Sequence, residues 1–385
     1  MGDQITQIVN PTFGCDPEIF LLKGGQVIGA EKVIPEEGLD TLTRDPNTLA
    51  CTVPKKGGIV LDGVQVELNP APATCRALLA NEISAAFKTL KAHLAKMDGI
   101  SASFTQIVEV DPKELDSLSD KAKALGCAPS NNIYDSSRSI GVNPATYTKR
   151  SAGGHIHLGL PDEIKGHRER LVPLLDIFVG NTCVLMDRHP GNAERRQVYG
   201  RAGEHRLPTH GLEYRTLSNF WLKGYPLFSG VLGLSRLAVN ILAHSIKYLP
   251  GGCPSYPHYV GAEEDILQLV DVEAICKAIN ENDVELAKKN WTVVRGWLEK
   301  HTQNYQTGLN TRNVDAFDFM VSKIDDKGMD YWFPDDPMEH WTTKYGVLHA
   351  QRGMDGHDLG WETFLARVDL ERKGMSHTDF LVPLR

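Results

Sequence analysis

The sequence predicts an α+β fold. Strand-like stretches lie scattered between helical ones, without the regular alternation of a doubly wound sheet. Neither a G-x-x-x-x-G-K-[ST] loop nor a G-x-G-x-x-G behind an early strand is present.

The elements follow in chain order. "GCDPEIFLLKGGQVIGAEKV" reads as a hairpin, with two apolar runs on either side of Lys23-Gly24-Gly25. "GIVLDGVQVELNPAP" reads as two short strands about the Asp62-Gly63 turn. From Cys75 to Met97, Leu79, Ile83, Phe87, Leu90, Leu94 and Met97 recur at helical spacing. Strand character returns in "SFTQIVEV" and "GGHIHLGL". An apolar helix is expected between Arg170 and Met186. An ordered loop with short strands is expected over 191–211, then a strand in "GLEYRTLSNFW" and an apolar helix from about Pro226 to Leu249. The "PGGCPSYP" segment (250–257) breaks the chain. It divides the sequence into a domain at 1–250 and a mixed helical extension at 251–385, in which 262–300 reads helical.

Bulk properties exclude several classes. The 385 residues are 41% hydrophobic and 23% charged, which suits a globular protein with a large core. A net charge of −8 argues against a general nucleic-acid surface. Seven widely spaced cysteines without a C-x-x-C fit free thiols in a reducing compartment better than disulfides or structural zinc. The start "MGDQITQIVN" lacks the pattern of a secretory signal, and no apolar run approaches the roughly 20 residues of a membrane span. A cytoplasmic location is expected.

Four of the strands carry residues that a plain strand does not need. Asp16 and Glu18 lie two apart, as do His155 and His157, and Glu213 and Arg215; on an extended chain each pair shares a face. In "VQVELNPAP", Gln65, Glu67 and Asn69 oppose Val64, Val66 and Leu68. Each has an ordinary alternative: a solvent face, a half-exposed strand, hydrogen-bonded histidines, a surface ion pair. Together they suggest more. If the four strands share one sheet, one face holds Asp16, Glu18, Glu67, His155, His157, Glu213 and Arg215. Hard carboxylates and neutral imidazoles suit two or more divalent cations. The run "ERRQVYGRAGEHR" adds Arg195, Arg196, Arg201 and Arg206, which suits polyphosphate beside the cations, or else a solvated basic loop.

The motifs D-P-E (16–18), V-E-L-N-P-A-P (66–72), G-C-A-P-S-N-N (126–132), S-A-G-G-H-I-H (151–157), Y-G-R-A-G (199–203) and G-L-E-Y-R-T-L-S-N-F-W (211–221) occur in this order. The order resembles the phage-encoded type 2 carboxylate–amine (COOH·NH2) ligases, over roughly residues 12–250. The resemblance implies a glutamine-synthetase-like catalytic domain, with a curved, mostly antiparallel sheet backed by helices. It implies ATP and two or more Mg²⁺ or Mn²⁺ ions, phosphorylation of a carboxylate, and attack by an amine on the acyl phosphate. Glu18, Glu67, His155, Glu213 and Asp16 are the implied metal ligands. Asp16 stands where glutamine synthetase has the longer glutamate. His157, Arg201 and Arg206 are the implied phosphate contacts, with Arg201, Arg206 and Arg215 as catalytic arginines. Asn69 and Arg215 are candidates for substrate contact. The implied partners are a carboxylate-bearing small molecule or peptide and an amine, with no nucleic acid and no membrane; a homo-oligomer is compatible with the family. Three other readings are a guanido kinase-like phosphotransferase on the same fold, an H-x-H metal oxygenase of cupin type, and a non-catalytic virion or binding protein.

Overall fold

The computed structural model describes residues 11–48, 50–125, 130–136, 142–143, 146–247, 262–301, 311–333, 336–342 and 359–374. Thirteen strands lie among them. They are β1 (Thr12–Cys15), β2 (Glu18–Lys23), β3 (Gln26–Ile28), β4 (Leu39–Arg44), β5 (Cys51–Asp62), β6 (Gln65–Leu68) and β7 (Ile100–Ser103), then β8 (Ile107–Glu109), β9 (Asn131–Asn132), β10 (Lys149–Ser151), β11 (Ile156–Gly159), β12 (Glu204–Arg206) and β13 (Gly211–Tyr214). Every pairing is antiparallel. With the surrounding helices this makes the protein α+β, as the scattered pattern predicts.

The four chemistry-bearing strands do not share one sheet. β1, β11, β13, β12 and β9 form a five-stranded sheet, whereas β2 and β6 belong to a six-stranded one ordered β3-β2-β6-β5-β4, with β7 on β2. The expectation of a single face therefore needs correction. Pro17, which has no N–H to give a ladder, ends one pairing and starts another. The chain leaves β1 for β2 across Asp16-Pro17, and the two sheets meet there. Glu18 N–H donates to Gly153 O at 2.9 Å, and Leu68 N–H donates to Pro17 O at 3.0 Å.

The hairpin turns stand where the sequence puts them. Gly24 and Gly25 take φ of +59° and +82° between β2 and β3, and Gly63 takes +60° between β5 and β6; side chains other than glycine rarely adopt this region. The periodic stretch after Cys75 is the helix Arg76–Leu94, which buries Leu79, Ile83, Phe87, Leu90 and Leu94. Burying each such side chain contributes roughly 1.5–3 kcal/mol. The apolar stretch from Leu171 to Val184 is helical with a π segment at Asp176–Gly180. Between 191 and 211 the structure differs from the expected loop: Asn192–Val198 is a helix, and β12 follows.

The long helix Tyr225–Lys247 is the second expected apolar helix. Its window Tyr225–Ala243 is long and apolar enough to cross a membrane, which corrects the sequence reading that no run approaches that length; 89% of the window is buried inside the protein. Helices Ala262–Leu269, Val272–Glu281, Val284–His301, Thr311–Lys327 and Leu359–Arg372 follow. One apolar cluster runs from Phe13 in β1 to Val368 in the last of them. The 250–257 break lies outside the described residues.

Candidate active site

The site grows from one row across the five-stranded sheet. Gly14, His157, Glu213 and Arg206 are register partners on β1, β11, β13 and β12. Gly14 leaves room beside His157, where an added Cβ would come within 3.3 Å of the imidazole's own Cβ. At the end of β1 the Asp16 carboxylate is bracketed by two imidazoles. Oδ1 lies 2.9 Å from His155 Nδ1, and Oδ2 lies 3.1 Å from His157 Nε2. Glu213 Oε1 is 3.7 Å from His155 Nδ1 and 3.6 Å from Arg206 Nη1, and it accepts a bond from Arg215 Nη1.

Proximity is not hydrogen bonding here. Asp16 Oδ1, His155 Nδ1 and His157 Nε2 are buried and have no hydrogen-bond partner. Buried polar atoms without partners are costly. Three of them converging with Glu213 is the donor set a divalent cation would satisfy. One atom each from Asp16, His157 and Glu213 lies within 4.8 Å of the others. His157 Nε2 thus sits within this donor set, whereas the resemblance implies a phosphate contact for it. Burial alone would raise Asp16, but His155 and His157 outweigh it and hold the carboxyl well below the usual range. Burial lowers His155; it works against the charged form of His157 too, but there the nearby carboxylates of Asp16 and Glu213 together outweigh it and raise the ring.

A second set lies on the other side of Pro17. Glu18 and Glu67 are direct cross-strand partners on β2 and β6, and Asp62 ends β5 beside them. One oxygen from each lies within 4.8 Å of the others. Like charges placed opposite each other destabilise a sheet. Burial, then the charge of Asp62, pushes Glu18 up to about 8. Burial, then Asp16, Glu18, Asp62 and Glu213, pushes Glu67 up to about 10. Without a counter-ion the cluster relieves itself by holding protons. Glu18 is fixed by Gly153 N–H at 2.8 Å and by Gln65 Nε2 at 3.2 Å.

The S-A-G-G-H-I-H and G-L-E-Y-R-T-L-S-N-F-W segments fasten this seam. Gly153 bridges Ser218, Gly154 N–H donates to Leu217 O at 3.1 Å, and Trp221 Nε1 donates to Gly154 O at 3.0 Å. Asn219 Nδ2 donates to Glu18 O at 2.8 Å, and Ser218 Oγ donates to buried Asp187 at 2.6 Å. The paired glycines answer to close approach. A Cβ on Gly153 would lie 2.5 Å from His155 Nε2, and one on Gly154 would lie 2.4 Å from Ser218 O.

The arginines divide. Arg206 and Arg215 reach Glu213. Arg201 is not brought to the carboxylates: its carbonyl accepts from Thr216 Oγ1, and its charge acts on Cys276. Arg195 and Arg196 are buried. Arg195 bonds the carbonyls of Thr216 and Leu217, and Arg196 bonds Ile279 O and Asn282 Oδ1. They hold the loop and are neither phosphate ligands in place nor a solvated run. Asn69 is exposed, and its amide donates to Gly57 O at 3.3 Å. Residues 126–129 lie outside the described residues. Sequence reasoning missed Asp62, which it used only as a turn residue, and Tyr199, which lines a cleft with Glu18, Asp62, Gln65, Tyr147, Lys149 and Arg215.

Residues 128–298 match the family described as phage phiEco32-like COOH.NH2 ligase-type 2. The match includes His155, His157, Arg206, Glu213 and Arg215, whereas Asp16, Glu18, Asp62 and Glu67 precede it. No curated protein matches the chain.

Proposed function

We propose that this chain, whose residues 128–298 carry the phage phiEco32-like type 2 COOH·NH2 ligase match, is an ATP-dependent carboxylate–amine ligase on a glutamine-synthetase-like fold. In this reading a carboxylate is phosphorylated, and an amine displaces the phosphate to form an amide or peptide bond. The observation that carries the reading is the pair of ligand sets joined through Asp16-Pro17-Glu18, one of them with three orphaned buried donor atoms.

Each set has its own task. Asp16, His155, His157 and Glu213 hold one Mg²⁺ or Mn²⁺; Glu18, Asp62 and Glu67 hold another. The bound cations supply charge screening for phosphate oxygens and Lewis acidity. Arg206 and Arg215, beside Glu213, offer guanidiniums to a phosphoryl group or a substrate carboxylate. Arg215 stays cationic: burial disfavours its charge, but Tyr199, Glu213 and Asp16 overcome that and raise it further. The cleft between Glu18 and Tyr199 sets Lys149 and Arg215 beside the carboxylates of Glu18 and Asp62, with Leu125, Val198 and two tyrosines between them, and so offers cationic groups to an acyl phosphate. The substrate pair is a carboxylate-bearing small molecule or peptide and an amine.

The test uses hydroxylamine as the amine. With ATP, Mg²⁺ and a panel of amino acids and short peptides, the protein is expected to yield a hydroxamate and ADP in equal amounts. Glu213→Gln is expected to abolish both. ADP formation with phosphate transferred to a guanidino compound, and no hydroxamate from any carboxylate, would assign the phosphotransferase reading instead.

A further inference from the structure

We infer that Tyr199 is the positioning residue of the His155 side of the site, its hydroxyl reversing its hydrogen bond when a divalent cation takes His155 Nδ1. The inference rests on the cation reading above and concerns a residue to which that reading gives no part in holding the cation. Tyr199 OH meets two groups: His155 Nε2 and, at 2.7 Å, Arg215 Nη2.

Donor counting fixes the rest. A guanidinium only donates, so the phenol oxygen accepts from Arg215. Its own proton then goes to His155 Nε2, which must be bare. The neutral imidazole carries its proton on Nδ1, which lies 2.9 Å from Asp16 Oδ1 but out of line for a hydrogen bond. A cation at Nδ1 needs that lone pair. The imidazole proton must then sit on Nε2 and donate to Tyr199. The phenol oxygen has two lone pairs and accepts both bonds while its O–H turns into the polar cleft that Tyr199 lines with Glu18 and Gln65. No heavy atom needs to move, because only the hydroxyl torsion and the tautomer change. A metal-bound histidine commonly has such a partner on its other nitrogen.

The ring is held for this task. Arg195 and Arg215 place their guanidinium carbons 5.3 and 5.1 Å from its centroid, on a residue half-buried against the cleft. Gly200 follows with φ +77°, and a Cβ there would lie 2.4 Å from Arg195 Nη1. The turn after Tyr199 thus keeps the arginine against the ring.

Tyr199→Phe keeps the ring and removes the oxygen. Mn²⁺ binding to the full chain is read by the loss of the free-ion EPR signal, and folding by circular dichroism. The variant is expected to bind Mn²⁺ roughly 10–100-fold more weakly. Equal affinity in a folded variant overturns the inference and leaves the ligase reading standing. A second measurement needs no variant at Tyr199. In ¹⁵N-histidine-labelled parent protein, with His155 assigned by its absence in His155→Gln, Mg²⁺ is expected to move the protonated-nitrogen signal from Nδ1 to Nε2. An unchanged His155 tautomer in protein that binds Mg²⁺ overturns the inference even where Tyr199→Phe does not fold. A parent protein that binds neither ion overturns both readings together.

Discussion

Replacing Glu67 by glutamine should stabilise the cation-free protein and remove most of the stabilisation that cation gives the parent. The Glu67 carboxyl is pushed from an ordinary 4.5 to about 10, by burial first and then by the charges of Asp16, Glu18, Asp62 and Glu213. The folded state therefore binds this proton more tightly than the unfolded state. Between these two values stability falls as pH rises, because the native state holds the extra proton. At about 1.4 kcal/mol per pH unit, keeping the group protonated at pH 7 costs up to about 3 kcal/mol. Glu18, raised in the same way, shares that cost, so the glutamine should recover about 1–3 kcal/mol. For a chain of this length that is a rise in Tm of a few degrees, at roughly 1–2 °C per kcal/mol. With Mg²⁺ or Mn²⁺ at about 100 times its Kd, the parent gains about 2.7 kcal/mol, which a site lacking one carboxylate does not. Melting curves in EDTA and in excess cation, for parent and Glu67→Gln at pH 7, provide the comparison. A variant less stable than the parent in EDTA, or one gaining as much from cation, would refute the reasoning.

Asp176, bonded by Tyr214 OH at 2.7 Å, is pushed to about 7 by burial, against that bond. Its contribution to stability should fall as pH rises from about 4 to about 7, and Asp176→Asn should remove up to about 1.4 kcal/mol per pH unit of slope in urea titrations. Gly154→Ala puts a Cβ 2.6 Å from Trp221 Nε1 and is expected to cost about 2 kcal/mol or more in the same titrations. Gly153→Ala, whose Cβ would meet His155 Nε2 and Glu18 Oε1, should also weaken Mn²⁺ binding measured calorimetrically. Arg206→Ala, which removes a guanidinium beside Glu213, should lower hydroxamate formation by about tenfold or more; Arg201→Ala should change it less, since Arg206 and Arg215 are the guanidiniums that reach Glu213.

Local structure was legible where one period or one turn decides it. The hairpins at Gly24-Gly25 and Gly63, and the helix Arg76–Leu94, follow from spacing and left-handed glycines. The helix Asn192–Val198 was not legible, because its arginines are buried against carbonyls and look polar in sequence. For the site, residue types at period two named Asp16, Glu18, Glu67, His155, His157, Glu213 and Arg215. The period says which side of a strand a residue faces, but not which sheet the strand joins. Hence one expected row became two sets. Asp62 escaped for a related reason: the Asp-Gly pair satisfies a turn, and nothing local tells that its carboxylate also meets Glu18 and Glu67. Tyr199 stood in a recognised motif, yet its two partners are 44 and 16 residues away in sequence.

The seam explains why a proline separates the first two carboxylates. An uninterrupted strand would place Asp16 and Glu18 on one face of one sheet, with both charges on the same neighbours. Pro17 gives up the ladder at that point, so Asp16 turns to the imidazoles while Glu18 turns to Glu67 and Asp62. The proline's restricted φ also makes the link stiff. Asn219 clamps the Glu18 carbonyl, and Gly153 takes both the Glu18 N–H and its carboxylate. The two ligand sets are thereby separated by the single residue Pro17 where they meet in the chain, and are braced by the same two loops. A shift of the G-G-H or L-S-N-F-W segment therefore acts on both sets at once: beside the ligands His155, His157 and Glu213, the same motifs supply the Gly153, Gly154, Ser218, Asn219 and Trp221 contacts that hold the spacing.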